Sequence, residues 1–149
     1  MIDVEIFKDY NDIIIDTGIY IEYFKQGETE LKKILREHLF SENSEITIKG
    51  HYLIKAEIFY IMCRKIGKDK AENIIKDIEE YINFISGEFL YQIAGKIKCK
   101  YPIAICDCFS ISLGISQDCP IFFLKERELS EEVINKVNKE FKAKIYTVS

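Results

Sequence analysis

The tetrapeptide Ile13-Ile14-Ile15-Asp16 constrains the fold more than any other stretch. Three successive β-branched residues favour an extended backbone, and a strand puts alternate side chains on opposite faces. A strand apolar on both faces must be buried on both, which suits the centre of a parallel sheet covered by helices. The acid that closes the run then stands at the carboxyl end of that strand. In open parallel sheets this is the edge where ligands bind.

The rest of the chain repeats the alternation of short strands with long helices. Ile19 to Phe24 is expected as a short helix, and Glu28 to Leu39 presents Leu31, Ile34, Leu35 and Leu39 on one helical face. Ser41-Glu42-Asn43-Ser44 is a turn, and Glu45-Ile46-Thr47-Ile48 alternates as a strand does. Helices are predicted over His51 to Ile66 and over Lys70 to Ile85, the latter from Ile74, Ile75, Ile78, Tyr81 and Ile82. Ser86 is placed as the N-cap of a helix from Glu88 to Lys100, which Tyr101-Pro102 breaks. Ile103 to Ile115 is a further buried helix, and Pro120 opens a strand, Ile121 to Leu124. Ser130 caps a last helix to Phe141, with acids in its first turn, before a final strand from Lys144 to Val148. Strand–helix alternation of this kind means an α/β fold with a parallel sheet between two helical layers.

Composition narrows the function classes. The 149 residues fit one domain, 1–149, with 48% apolar and 31% charged residues, no linker-like stretch and no internal repeat. No apolar run approaches the roughly 20 residues that span a bilayer. The start, Met1-Ile2-Asp3-Val4-Glu5, lacks the basic and apolar pattern of a secretion signal, so a cytoplasmic location is expected. A net charge of −4 argues against a protein that coats nucleic acid non-specifically. Five cysteines, an odd number without a Cys-x-x-Cys pair, are expected as small core residues rather than as disulfides or zinc ligands.

Three acids interrupt apolar stretches. Asp16 closes its isoleucine run, Glu57 lies within Leu53 to Met62, and Asp107 lies within Ile103 to Phe109. An ionised carboxylate in such surroundings needs compensation, either from a basic neighbour or helix cap, or from a shared divalent cation. Carboxylates on separate core elements, with few basic residues in the same runs, favour convergence. An oxygen-only set suits a hard ion, Mg²⁺ or Mn²⁺.

The ordered set Ile13-Ile14-Ile15-Asp16-Thr17, Ala56-Glu57-Ile58-Phe59-Tyr60-Ile61 and Ala104-Ile105-Cys106-Asp107-Cys108-Phe109 resembles the PIN-domain ribonucleases, in particular the VapC-type toxins of toxin–antitoxin pairs. The resemblance runs from about Ile13 to Ser149. It implies a three-layer α/β/α sandwich with a short, mainly parallel sheet of four or five strands. It also implies Mg²⁺ or Mn²⁺ at the acids, endonucleolytic cleavage of RNA, a small antitoxin partner and a homodimer. By the same resemblance Asp16, Glu57 and Asp107 are metal ligands, and Thr17 is a neighbouring hydroxyl that orients water or phosphate. Thr17 equally suits a strand end or helix cap. The family's fourth acid is an Asp. Here Glu126 is the best match, with Glu128 and Asp118 as rivals. That departure leaves open an inactive PIN-like binding or assembly module. A phospho-receiver domain is disfavoured, because no adjacent acids follow the first strand. Lys96, Lys98 and Lys100 are either an RNA-facing group or a solvated helix face.

Overall fold

The computed structural model describes residues 4–125 and 129–149. Five strands form one sheet: β1 (Asp12–Ile15), β2 (Thr47–Gly50), β3 (Ile82–Phe84), β4 (Ile121–Leu124) and β5 (Ile145–Val148). Their order is β3-β2-β1-β4-β5, and every pair is parallel. β1 is central: Ile13 is opposite Ile48 of β2, and Ile14 is opposite Ile121 of β4.

Seven α-helices connect the strands among the described residues: α1 (Thr17–Phe24), α2 (Glu30–Ile34), α3 (Tyr52–Ile66), α4 (Lys68–Glu79), α5 (Leu90–Lys100), α6 (Ile105–Gln117) and α7 (Glu131–Phe141). The alternation of β1 sorts them into two layers. Ile13 and Ile15 pack with the apolar side chains of α1 to α4, while Ile14 packs with those of α5 to α7. All three isoleucines are fully buried, as a strand covered on both faces requires. The result is the expected three-layer α/β/α sandwich, its sheet wholly parallel with five strands.

The chain reverses direction across the sheet between β1 and β4. From β1 it moves outward to β2 and β3 through one helical layer, then returns to β4 and β5 through the other. The carboxyl ends of β1 and β4 are therefore the topological switch point, where diverging connections leave a crevice.

Several boundaries differ from the sequence expectation. The helix expected over Lys70 to Ile85 ends at Glu79, and Ile82–Phe84 is the edge strand β3, with Ile82 opposite Ile48. Ile78 and Ile82 are four apart and read as one helical face. A three-residue strand is too short for its own period to outweigh that. The helix expected over Glu28 to Leu39 becomes α2 followed by a π-helical turn, Leu35–Leu39. The second strand lies two residues later than Glu45 to Ile48. Ser86 does not cap α5: Phe89 holds that position and makes no side-chain cap bond. Ser130 does cap α7, its hydroxyl accepting the Val133 N–H at 3.3 Å. At Gly114 helix α6 lies so close to β4 that an added Cβ would stand 2.3 Å from Cδ1 of Ile121. Among the described residues, no helix is long and apolar enough to cross a membrane.

Candidate active site

Asp16 leaves the end of β1 in extended conformation and becomes the N-cap of α1. Its Oδ1 accepts the Ile19 N–H at 3.1 Å and the Leu124 N–H, at the end of β4, at 3.4 Å. One carboxylate thus bridges the ends of the two strands at the switch point and is 2% exposed. Its charge also reaches Tyr20. Burial first, and Asp16 second, hold that phenol well above its usual pKa.

Thr17 is the first residue of α1, and the cap role belongs to Asp16 rather than to it. The Thr17 side chain is buried, with Oγ1 4.0 Å from Sγ of Cys106. Glu57 lies on α3 beside the buried stripe of Ile54, Ile58 and Met62, and is half-buried. Its carboxylate bears on the same Cys106 thiol. Burial first, and the Glu57 charge second, hold the thiol protonated well above the usual cysteine range. Asp107 follows Cys106 in the first turn of α6 and is 9% exposed. Negative charge is favoured there by the unsatisfied N–H groups of the helix start.

The three predicted carboxylates therefore come from the end of β1, the middle of α3 and the first turn of α6, and the charges of Glu57 and Asp107 both bear on the Cys106 thiol. Cys106 packs with the helical layer of α1 to α4, although most of α6 belongs to the other layer. It marks where α6 reaches over the edge of the sheet. Among the described residues, no three His, Cys, Asp or Glu side chains close into a metal-coordinating group. Glu126 and Glu128 lie outside the described residues. Asp118 is removed as a rival: it ends α6 at the amino end of β4, is exposed, and pairs with Lys144 at 3.1 Å.

The donor set fits a hard divalent ion. Asp16, Glu57 and Asp107 offer carboxylate oxygens, and the Cys106 sulfur is a protonated thiol rather than a thiolate ligand.

Two further buried polar contacts join the elements that carry the acids. Cys106, read from the sequence as packing, has its Sγ 4.0 Å from Oγ1 of Thr17. His51, at the carboxyl end of β2, is 2% exposed, and its Nε2 lies 2.8 Å from Oγ of Ser110 on α6. A lone cysteine and a lone histidine in apolar runs give no signal of this in sequence. The lysine group disperses: Lys98 donates to the Ile103 carbonyl at 2.8 Å, and Lys100 pairs with Glu140. All five cysteines are free thiols.

Comparison with known proteins follows the same outline. A crystal structure of VapBC2 from Rickettsia felis, bound to a promoter DNA fragment, matches with a TM-score of 0.64 at 13% identity, covering 91% of this chain and 98% of that one. A toxin–antitoxin complex from Klebsiella pneumoniae matches with a TM-score of 0.56 at 12% identity, covering 80% and 91%. At such identities the likeness concerns the fold. No curated protein matches the sequence. The family model described as PIN domain matches residues 13–139, a span that holds the acids of β1, α3 and α6, and the chain belongs to the PIN domain family.

Proposed function

We propose that this chain is an Mg²⁺- or Mn²⁺-dependent endoribonuclease that hydrolyses phosphodiester bonds in RNA, the toxin of a VapBC-type toxin–antitoxin pair. The observation that supports the reading is the PIN-domain match over residues 13–139 together with buried Asp16 at the switch point of the sheet, its Oδ1 held by the Ile19 and Leu124 N–H groups. Asp16, Glu57 and Asp107 would hold the ion, with Glu126 supporting them from beyond β4. When bound, the ion supplies Lewis-acid polarisation of a phosphate oxygen and a water acidified enough to attack phosphorus.

The chain's own residues prepare that chemistry. Asp16 is fixed before any substrate arrives, because two backbone N–H groups hold one of its oxygens. Glu57 is carried by α3 and Asp107 by the first turn of α6. Thr17, at the N-terminal turn of α1, is the hydroxyl that orients a phosphate oxygen there. The structural neighbours are a VapBC2 complex and a toxin–antitoxin complex, which supports a small antitoxin that masks this crevice. A cytoplasmic homodimer completes the proposal.

Asp107→Asn should abolish metal-dependent cleavage of single-stranded RNA while leaving the far-UV dichroism unchanged. Undiminished cleavage by the variant overturns the assignment. The Glu at the fourth acidic position favours a second reading, an inactive binding module. Calorimetry separates the two: a nuclease binds Mn²⁺ and loses that binding in Asp107→Asn, whereas a relic binds none.

A further inference from the structure

The carboxylates belong to both layers of the sandwich. Glu57 rides on α3 in one layer and Asp107 on α6 in the other, and the sheet lies between. Strand hydrogen bonds hold the sheet but do not fix one helix start against the other. Something must do so where α3 and α6 meet over the carboxyl edge.

His51 stands at that meeting point. It follows Gly50 at the end of β2 and occupies the N-cap position of α3, yet its side chain makes no cap bond. The ring turns inward, against the Phe109 ring with centroids 5.9 Å apart. Its Nε2 and Oγ of Ser110 share a hydrogen bond of 2.8 Å, with His51 2% and Ser110 1% exposed. Ser110 is one helical turn beyond Asp107, and Glu57 is under two turns beyond His51. Among the described residues, the other ring nitrogen, Nδ1, is buried and makes no hydrogen bond, while the backbone of Cys106, also on α6, bears on the ring. An apolar side chain would fill this space without leaving a buried nitrogen unsatisfied, so packing alone gives no reason for a histidine.

We infer that His51 is a positioning residue: its bond to Ser110 clamps the start of α6 to the start of α3 and so sets the separation of Asp107 from Glu57. The inference rests on the proposed reading of the acids as a metal site. It predicts an effect on ion binding from two residues that do not themselves bind the ion.

The test uses the full chain with His51→Leu, Ser110→Ala, the double variant, and His51→Gln, whose amide nitrogen can take the place of Nε2. Mn²⁺ affinity is read by calorimetry, and kcat and KM by RNA cleavage. Loss of the clamp should weaken Mn²⁺ binding about tenfold, the range found when groups behind metal ligands are removed. kcat should fall with KM for RNA unchanged. The double variant should be no worse than the worse single variant, because both remove one bond. His51→Gln should restore most of the affinity.

Wild-type Mn²⁺ affinity in Ser110→Ala overturns the clamp, and so does His51→Gln behaving as His51→Leu. If His51→Leu does not fold, Ser110→Ala and His51→Gln still decide, since each changes little volume. A wild-type chain that neither binds Mn²⁺ nor cleaves RNA overturns the functional reading and the clamp together. A wild-type chain that does both, beside an unaffected Ser110→Ala, overturns the clamp alone.

Discussion

Buried His51 should make the stability of this protein fall with acid in a defined window. Burial lowers its pKa from 6.5 to about 4, against a weaker opposite pull from the Cys106 backbone. The fold therefore holds a neutral ring, while the unfolded chain takes up a proton as pH falls through about 6.5. Above that value the full stability is present. It declines as pH falls towards about 4, and this contribution is flat below. At about 1.4 kcal/mol per pH unit the whole window comes to about 3.5 kcal/mol, of which about 3 kcal/mol is lost by pH of about 4, a large share of a typical domain's stability. The perturbation is His51→Gln, which removes the titration. Urea unfolding of both proteins at several pH values between about 7.5 and about 4 gives the stability difference at each. Carboxylates titrate in both proteins and cancel. The difference should move by about 3 kcal/mol in favour of the variant as the medium is acidified. A difference that stays constant across the window refutes the claim that the fold excludes the imidazolium.

Two substitutions away from the site test the packing. Gly114→Ala drives a Cβ into the fully buried Ile121 side chain, and should cost about 1–3 kcal/mol in urea unfolding despite alanine's better helix propensity; a more stable variant contradicts the close approach of α6 to β4. Ser130→Ala removes the acceptor for the Val133 N–H and should lower stability by about 1 kcal/mol, read as a shift in the urea midpoint, with no shift if α7 begins elsewhere.

What the sequence made legible is what local pattern controls. The run Ile13 to Ile15 read correctly as a doubly covered strand because burial on both faces removes the polar alternation of an edge strand. Ser130 read correctly as a cap because its acceptor lies three residues from its donor. β3 did not, since Ile82 fits the helical period of the residues before it and is drawn into the sheet only by β2. Asp16, Glu57 and Asp107 stood out one by one through the misfit of charge in apolar runs. The contacts that join their elements link residues 89 and 59 apart in the chain, Thr17 with Cys106 and His51 with Ser110, which no periodicity encodes.

The placement of the acids follows from the topology. A parallel sheet whose connections leave on opposite faces opens a crevice only between the two strands where the direction changes, here β1 and β4. An acid at the end of β1 can reach the backbone of β4, and Asp16 does so through the Leu124 N–H. In the proposed site, Glu57 on α3 would enter this crevice from one layer and Asp107 at the start of α6 from the other. The site therefore exists only while the two layers keep their register over the carboxyl edge of the sheet. That register depends on small buried polar contacts, the Cys106 thiol against Thr17 and the His51 ring against Ser110, rather than on the strand ladder. Substitutions within the sheet should then lower stability while leaving the site intact in the folded molecules. Substitutions at these contacts should loosen the site even in the molecules that remain folded.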